Sequence, residues 1–153
     1  MDDIDRRILM CVQADATVTV ADIADRVGLS QTPCWRRIQN LEKAGIIRQR
    51  VALLDRDKLN LGVTVFVGVR TREHNQEWLD EFARAVVNLP EVVEFYRMSG
   101  EIDYLMKIVV PDIASYDAVY KRLIAAVDLF DVSSSFAMEE LKCTSELPVN
   151  YLP

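Results

Sequence analysis

The sequence predicts an α+β chain in two parts, a three-helix unit followed by a βαββαβ domain. Three observations carry this. Apolar residues recur at helical spacing through the first 45 residues, with a glycine after each of the second and third runs. Alternating and continuous apolar runs then interleave with two further helical patterns. Charge divides at the same place. Residues 1–60 hold ten Lys/Arg against nine Asp/Glu, and residues 61–153 hold eight against fifteen. The expected domains are therefore residues 1–60 and 61–153.

In the first part, Ile4, Ile8, Leu9 and Val12 define one helix, and Asp2, Asp3 and Asp5 suit its positive end. Val20, Ile23, Ala24 and Val27 define a second. It stops at Gly28, where a left-handed cap is expected. Ser30 is placed to cap a third helix from about Gln31 to Ala44, with Pro33 in its first turn. Two helices joined through Gly28-Leu29-Ser30 have helix-turn-helix grammar.

At about 100° per residue, Gln31, Thr32, Trp35, Arg36 and Gln39 share one face of the third helix, and Cys34, Arg37, Ile38 and Leu41 share the other. Arg and Gln can bond bidentately to base edges in a major groove, and Thr and Trp can contact base, sugar or phosphate. Ser30, at the helix start, can also meet a phosphate. Between residues 31 and 58, seven basic residues face three acidic ones. Arg48 and Arg50 alternate with Gln49 and Val51 over Ile46–Asp55, which predicts a basic wing strand against a phosphate backbone. Double-stranded DNA is the expected partner. The competing reading is a trihelical unit that binds protein; steep salt dependence would separate the two.

In the second part, Leu61 to Arg70 alternates as a strand. Trp78, Phe82, Ala85, Val86 and Leu89 predict a helix ending before Pro90. Val92–Met98 and Ile102–Val110 predict two strands joined by Ser99-Gly100-Glu101. Ile113, Tyr116, Val119, Tyr120, Leu123, Ile124 and Val127 predict a helix, and Val132–Leu141 a last strand. This is the ferredoxin-like order. Several strands are apolar on both faces while two helices can cover only one, so a homodimer through this domain is expected.

Other classes find little support. His74 is the sole histidine and is expected at the surface. Cys11, Cys34 and Cys143 lack metal-ligand spacing and are read as reduced cytoplasmic thiols, with Cys34 a small buried hydrophobe. No phosphate loop or nucleophile–base pair is present, which counts against an enzyme, and no cofactor is implied. No apolar run reaches the ~18–20 residues of a membrane span, and the acidic N-terminus is unlike a signal peptide.

Taken in order, Asp5-Arg6-Arg7-Ile8-Leu9, residues 24–30, Arg37-Ile38-Gln39-Asn40-Leu41-Glu42, Gly45-Ile46-Ile47, residues 100–105 and Met138-Glu139-Glu140-Leu141-Lys142 resemble the Lrp/AsnC family of transcription regulators over nearly the whole chain. The resemblance implies a winged helix-turn-helix joined to a βαββαβ effector and oligomerisation domain. It also implies dimers that assemble to tetramers or octamers and a free amino acid as effector. The family's Gly-x-x-Asp-Tyr hairpin falls on Gly100, Asp103 and Tyr104. Residues 32–35, 96–100 and 134–139 are similar to a cysteine-responsive branch, which implies L-cysteine or a related amino acid.

A zwitterion needs an acceptor for its ammonium and donors for its carboxylate. Asp103 can supply the first, and the backbone N–H groups of Gly100 and Glu101 the second. Ser134 can add a hydroxyl, and Met98, Tyr104 and Phe136 can wall a side-chain pocket. Asp103 could instead cap a turn or pair with an arginine, and Tyr104 and Met98 could be ordinary core.

Overall fold

The computed structural model describes residues 1–72, 75–126 and 129–151. His74 and Val127 lie outside the described residues. The chain divides into two compact units, Met1–Leu53 with Lys142–Pro153, and Leu54–Leu141. The second crossing of the chain differs from the expected partition, because residues 142–153 group with the helical unit.

The helical unit holds α1 (Asp3–Ala14), α2 (Val20–Val27) and α3 (Gln31–Lys43). Asp2 caps α1 in a reciprocal box with Asp5, satisfying two of the free donors at that helix end. Thr19 caps α2 through the Asp22 N–H. Gly28 closes α2 at φ 75°, as its position after Val27 predicts, and Leu29 N–H returns to the Ala24 carbonyl at 2.8 Å. Ile8, Ile23, Cys34 and Ile38 are fully buried between the three helices, with Val149 of the tail packed against them. The tail ends in a single 3-10 turn, Val149–Tyr151.

The wing strand does not form. Residues 48–55 carry no strand and no backbone ladder among the described residues. Alternation supplies the faces of a strand, but a ladder also needs a neighbouring edge, and this segment has none among the described residues. Val51, Leu53 and Leu54 are exposed in consequence.

The second unit runs β1 (Val63–Arg70), α4 (Gln76–Val87), β2 (Val92–Arg97), β3 (Tyr104–Val110), α5 (Ile113–Ala126), β4 (Asp131–Phe136). The sheet order is β2-β3-β1-β4, with all three pairings antiparallel. Val65, Val67 and Val69 of β1 and Tyr104, Met106, Ile108 and Val110 of β3 form the buried face under both helices. Phe82 of α4 is fully buried and meets Tyr104 edge-on at 5.2 Å and Phe95 at 5.3 Å. The strand β4 stops at Phe136, five residues short of the expected end; one further bond, from Ala137 N–H to the Thr64 carbonyl, closes the ladder.

The opposite face is mixed rather than apolar. Phe66, Leu105 and Tyr96 share it with Ser133, Ser135 and a Lys107–Glu94 ion pair of 3.2 Å. Gly68 also lies there. A Cβ at Gly68 would sit 2.9 Å from Ser133 Oγ and 3.2 Å from Ile102, so only glycine lets those side chains cross β1.

Candidate nucleic-acid interface and ligand site

Helix α3 sorts its side chains as the helical period requires. Cys34, Ile38 and Leu41 are buried, while Gln31, Thr32, Trp35 and Arg36 are exposed. Trp35 keeps 54% of its surface in solvent, a large aromatic left outside the core. Arg36 and Arg48 have no hydrogen-bond or ion-pair partner among the described residues, so their guanidinium donors are free. Arg37, one position round from Arg36, turns inward and bonds Asp5 at 2.7 Å and Asp2 at 2.8 Å. That pairing fixes α3 on the start of α1 and thereby orients the outer face.

Ser30 occupies the cap position of α3 with extended backbone, φ −76° and ψ 161°, but its hydroxyl makes no cap bond. The expected side-chain cap is absent. Pro33 brings no N–H, so this helix start has fewer donors to satisfy, and the exposed hydroxyl stays available.

Two further residues depart from the expected pattern. Gln39 is half-buried, and its Nε2 donates to Glu42 at 2.8 Å. Arg50 is not free: it bonds the Ala16 carbonyl at 3.3 Å and Glu42 at 3.2 Å. The reading of residues 31–50 missed Glu42 as the hub of this network. Its spacing of three from Gln39 was visible; its contact with Arg50 depends on how the chain turns after Gly45.

In the second unit, the β2–β3 turn gathers Met98, Gly100, Glu101 and Asp103 at one end of the sheet. Gly100 takes φ 131°, which only glycine adopts without strain. Asp103 Oδ2 accepts the Thr71 N–H at 2.9 Å, its own N–H donates to the Val69 carbonyl, and its carbonyl accepts from Met98 N–H. It therefore latches the turn to the end of β1 and keeps acceptor capacity on Oδ1. Arg70 Nε donates to the Glu101 carbonyl at 2.6 Å, and its Nη1 stands 3.9 Å from Asp131. Arg70 and Thr71 were not read as site residues, since their meeting with the turn follows only from the β1–β3 register.

The remaining expected residues lie elsewhere. Tyr104 is buried in the aromatic core with Trp78, Phe82 and Phe95. Ser134 pairs in register with Val67, on the helix-covered face, and its hydroxyl bonds the Tyr116 hydroxyl. Burial of Tyr116 pushes its phenol up, against the Ser134 bond. Phe136 meets Tyr116 edge-on at 5.3 Å. Strand alternation did put Ser134 and Phe136 on one face; both stay exposed there and meet Tyr116 of α5. Cys34 is buried, and desolvation raises its thiol above the ordinary range. No group of three or more His, Cys, Asp or Glu among the described residues could hold a metal. No described helix is long and apolar enough to cross a membrane.

An exposed polar helix face on a trihelical unit, and a separate βαββαβ domain in the same chain, are the parts that a DNA-binding regulator with a ligand-binding domain needs. Residues 1–48 match the winged helix-turn-helix DNA-binding model and residues 64–147 the Lrp/AsnC ligand binding domain. The chain belongs to the Lrp/AsnC family of transcriptional regulators and is not an enzyme. It is 52% identical to the glutamate uptake regulatory protein of Zymomonas mobilis over 97% of this chain and 91% of that one. It is 47% identical to the DNA-binding transcriptional activator DecR of Escherichia coli, over 97% and 99%. Among solved structures, an AsnC family transcriptional regulator from Agrobacterium tumefaciens is 60% identical, with a TM-score of 0.97 and full coverage of both chains. A Neisseria meningitidis transcriptional regulator in complex with L-Met is 36% identical, with a TM-score of 0.94 over 100% of this chain and 99% of that one.

Proposed function

We propose that this regulator reads a specific DNA sequence through the outer face of α3 and that a free amino acid at the β2–β3 turn changes that binding. The observation that carries the reading is the exposure of Gln31, Thr32, Trp35 and Arg36 on a helix whose other face is buried. Arg36, with Gln31, Thr32 and Gln39, contacts bases; Arg48 and the Ser30 hydroxyl contact phosphates.

Asp103 receives the effector's ammonium on Oδ1, and the open Gly100–Glu101 turn meets its carboxylate. L-cysteine is the first candidate effector. Residues 32–35, 96–100 and 134–139 support it by their likeness to a cysteine-responsive branch, and L-Met in the Neisseria relative supports a sulfur amino acid. The protein acts as a homodimer that assembles to a tetramer or octamer. Phe66 at 39% and Tyr96 at 50% exposure, on the sheet face without helices, supply its contact surface.

The test is binding to the DNA upstream of its own gene and to random DNA, over a salt series, with single amino acids added. A preference for one sequence that a single amino acid changes is expected. Equal affinity for all DNA would remove base reading, and indifference to every amino acid would remove the effector role of Asp103. Sedimentation at micromolar protein showing monomer alone would remove the dimer.

A further inference from the structure

We propose that Glu42 is a positioning residue for DNA recognition: it sets which way the Gln39 amide faces a base and withholds Arg50 from the phosphates. This rests on the reading that the outer face of α3 contacts bases.

Both oxygens of Glu42 are engaged. Oε2 accepts from Gln39 Nε2 at 2.8 Å, and Oε1 accepts from Arg50 Nη2 at 3.2 Å. A carboxylate only accepts, so the Gln39 side chain must turn its NH2 toward Glu42. Flipping the amide would put its carbonyl lone pairs against the carboxylate. One N–H and the whole Oε1 remain for DNA, in a fixed spatial order. Bidentate reading of adenine by a glutamine needs one donor and one acceptor in a set order, on N7 and N6. A locked amide presents one order; a free amide presents either.

The same carboxylate cancels Arg50. Nη2 is on Glu42 and Nη1 is on the Ala16 carbonyl at 3.3 Å. The pair carries no net charge, so Arg50 releases no counterion when DNA binds. Arg48, two residues away, has no such partner among the described residues. The wing segment therefore offers DNA one free cation where the sequence pattern offers two. The Glu42–Arg50 pair is about one-third exposed on each side, so it contributes little to stability and its removal leaves the fold intact.

The experiment uses the full chain and a site enriched from a random duplex library with the wild-type protein. Affinities are measured for that site and for its single-base-pair variants, over a salt series. Gln39→Ala is expected to erase the preference at one base pair. Glu42→Gln keeps the side-chain size but can donate as well as accept. It is expected to weaken the preference at that same base pair several-fold and leave the others unchanged. In the salt series, Arg48→Ala should reduce the steepness with which log affinity falls against log salt by about 0.9. Glu42→Ala should raise it by about 0.9, and Glu42→Ala with Arg50→Ala should restore it.

A Glu42→Gln protein that keeps full preference where Gln39→Ala loses it would overturn the positioning role and leave base reading standing. A steepness in Glu42→Ala with Arg50→Ala as low as that of Arg48→Ala would overturn the withholding of Arg50. Preferences untouched by Gln39→Ala would overturn base reading by this residue together with the role of Glu42.

Discussion

Gln13 and Leu147 exchange two hydrogen bonds: the Gln13 Nε2 donates to the Leu147 carbonyl at 3.0 Å, and the Gln13 Oε1 accepts the Leu147 N–H at 3.0 Å. A side-chain amide here imitates the edge of a strand and holds a chain segment 134 residues away. Val149 then packs on the core of the three helices. The helical unit thus includes residues from both ends of the sequence.

Gln13→Ala should lower the stability of the helical unit by about 1–2 kcal/mol, the net worth of two partly exposed hydrogen bonds. Ending the chain after Leu141 should cost more, because Val149 then leaves its packing site as well. Urea unfolding followed by tryptophan fluorescence and far-ultraviolet circular dichroism checks both. Equal midpoints for all three proteins would show that the tail adds nothing to the unit.

Arg37 predicts an acid-side weakness. The Asp5 N–H holds the Asp2 carboxyl below its ordinary 3.8; burial works against it, and the Arg37 guanidinium adds to the lowering. A carboxylate depressed in the folded state contributes stability above its unfolded value. That contribution is lost as the pH falls through its lower folded value. The urea midpoint should therefore fall as the pH drops below about 4, and less so in Asp2→Asn, which keeps a capping oxygen without the charge. Arg37→Met should destabilise at neutral pH by about 1–3 kcal/mol, since it leaves the largely buried Asp5 carboxylate without its cation. Midpoints measured from pH 3 to pH 7 decide both points.

The parts of the fold legible in the sequence are those set by local periodicity. The two faces of α3, the stop at Gly28 and the order βαββαβ follow from spacing within about a dozen residues. What escaped detection depends on partners far along the chain. Residues 46–55 alternate like a strand yet have no edge to join. Ser134 has the right parity for a shared face with Phe136, but the sequence could not show that both meet Tyr116 of α5. Asp103 was legible as an acceptor, whereas its bond to Thr71 required the β1–β3 register. Basic residues counted equally in the sequence, yet Arg37 and Arg50 are spent on carboxylates while Arg36 and Arg48 are not.

The latch that Asp103 forms and the effector contact proposed for it can be parted by substitution. Asp103→Asn keeps an oxygen for the Thr71 N–H, so the turn should stay latched and the melting temperature near that of the wild type. It removes the charge proposed to face the effector's ammonium, so amino-acid affinity should fall at least tenfold. Asp103→Ala should lose both, with a stability cost of about 1–3 kcal/mol for the hydrogen bond lost at buried Thr71. Calorimetric titration with L-cysteine, L-methionine, L-glutamate and L-leucine, beside thermal melts, separates the roles. Wild-type affinity in Asp103→Asn would place the ammonium elsewhere.

Arg36 and Arg48 are both cations without protein partners among the described residues, but they stand on different elements. Arg36 projects from α3 beside Trp35, where a bidentate guanidinium can meet the O6 and N7 acceptors of a guanine. Arg48 follows the helix on an irregular segment that no ladder holds among the described residues, suited to a phosphate. Arg36→Ala should therefore cost about 1–3 kcal/mol on the preferred site, and much less on sites already altered at the base pair it reads. Arg48→Ala should weaken binding to every sequence alike, because a phosphate is the same at each step. Affinities for the preferred site and its single-base-pair variants, at two salt concentrations, give both quantities. Uniform losses from Arg36→Ala would assign it to the backbone, and the reading of bases would then rest on Gln31, Thr32 and Gln39 alone.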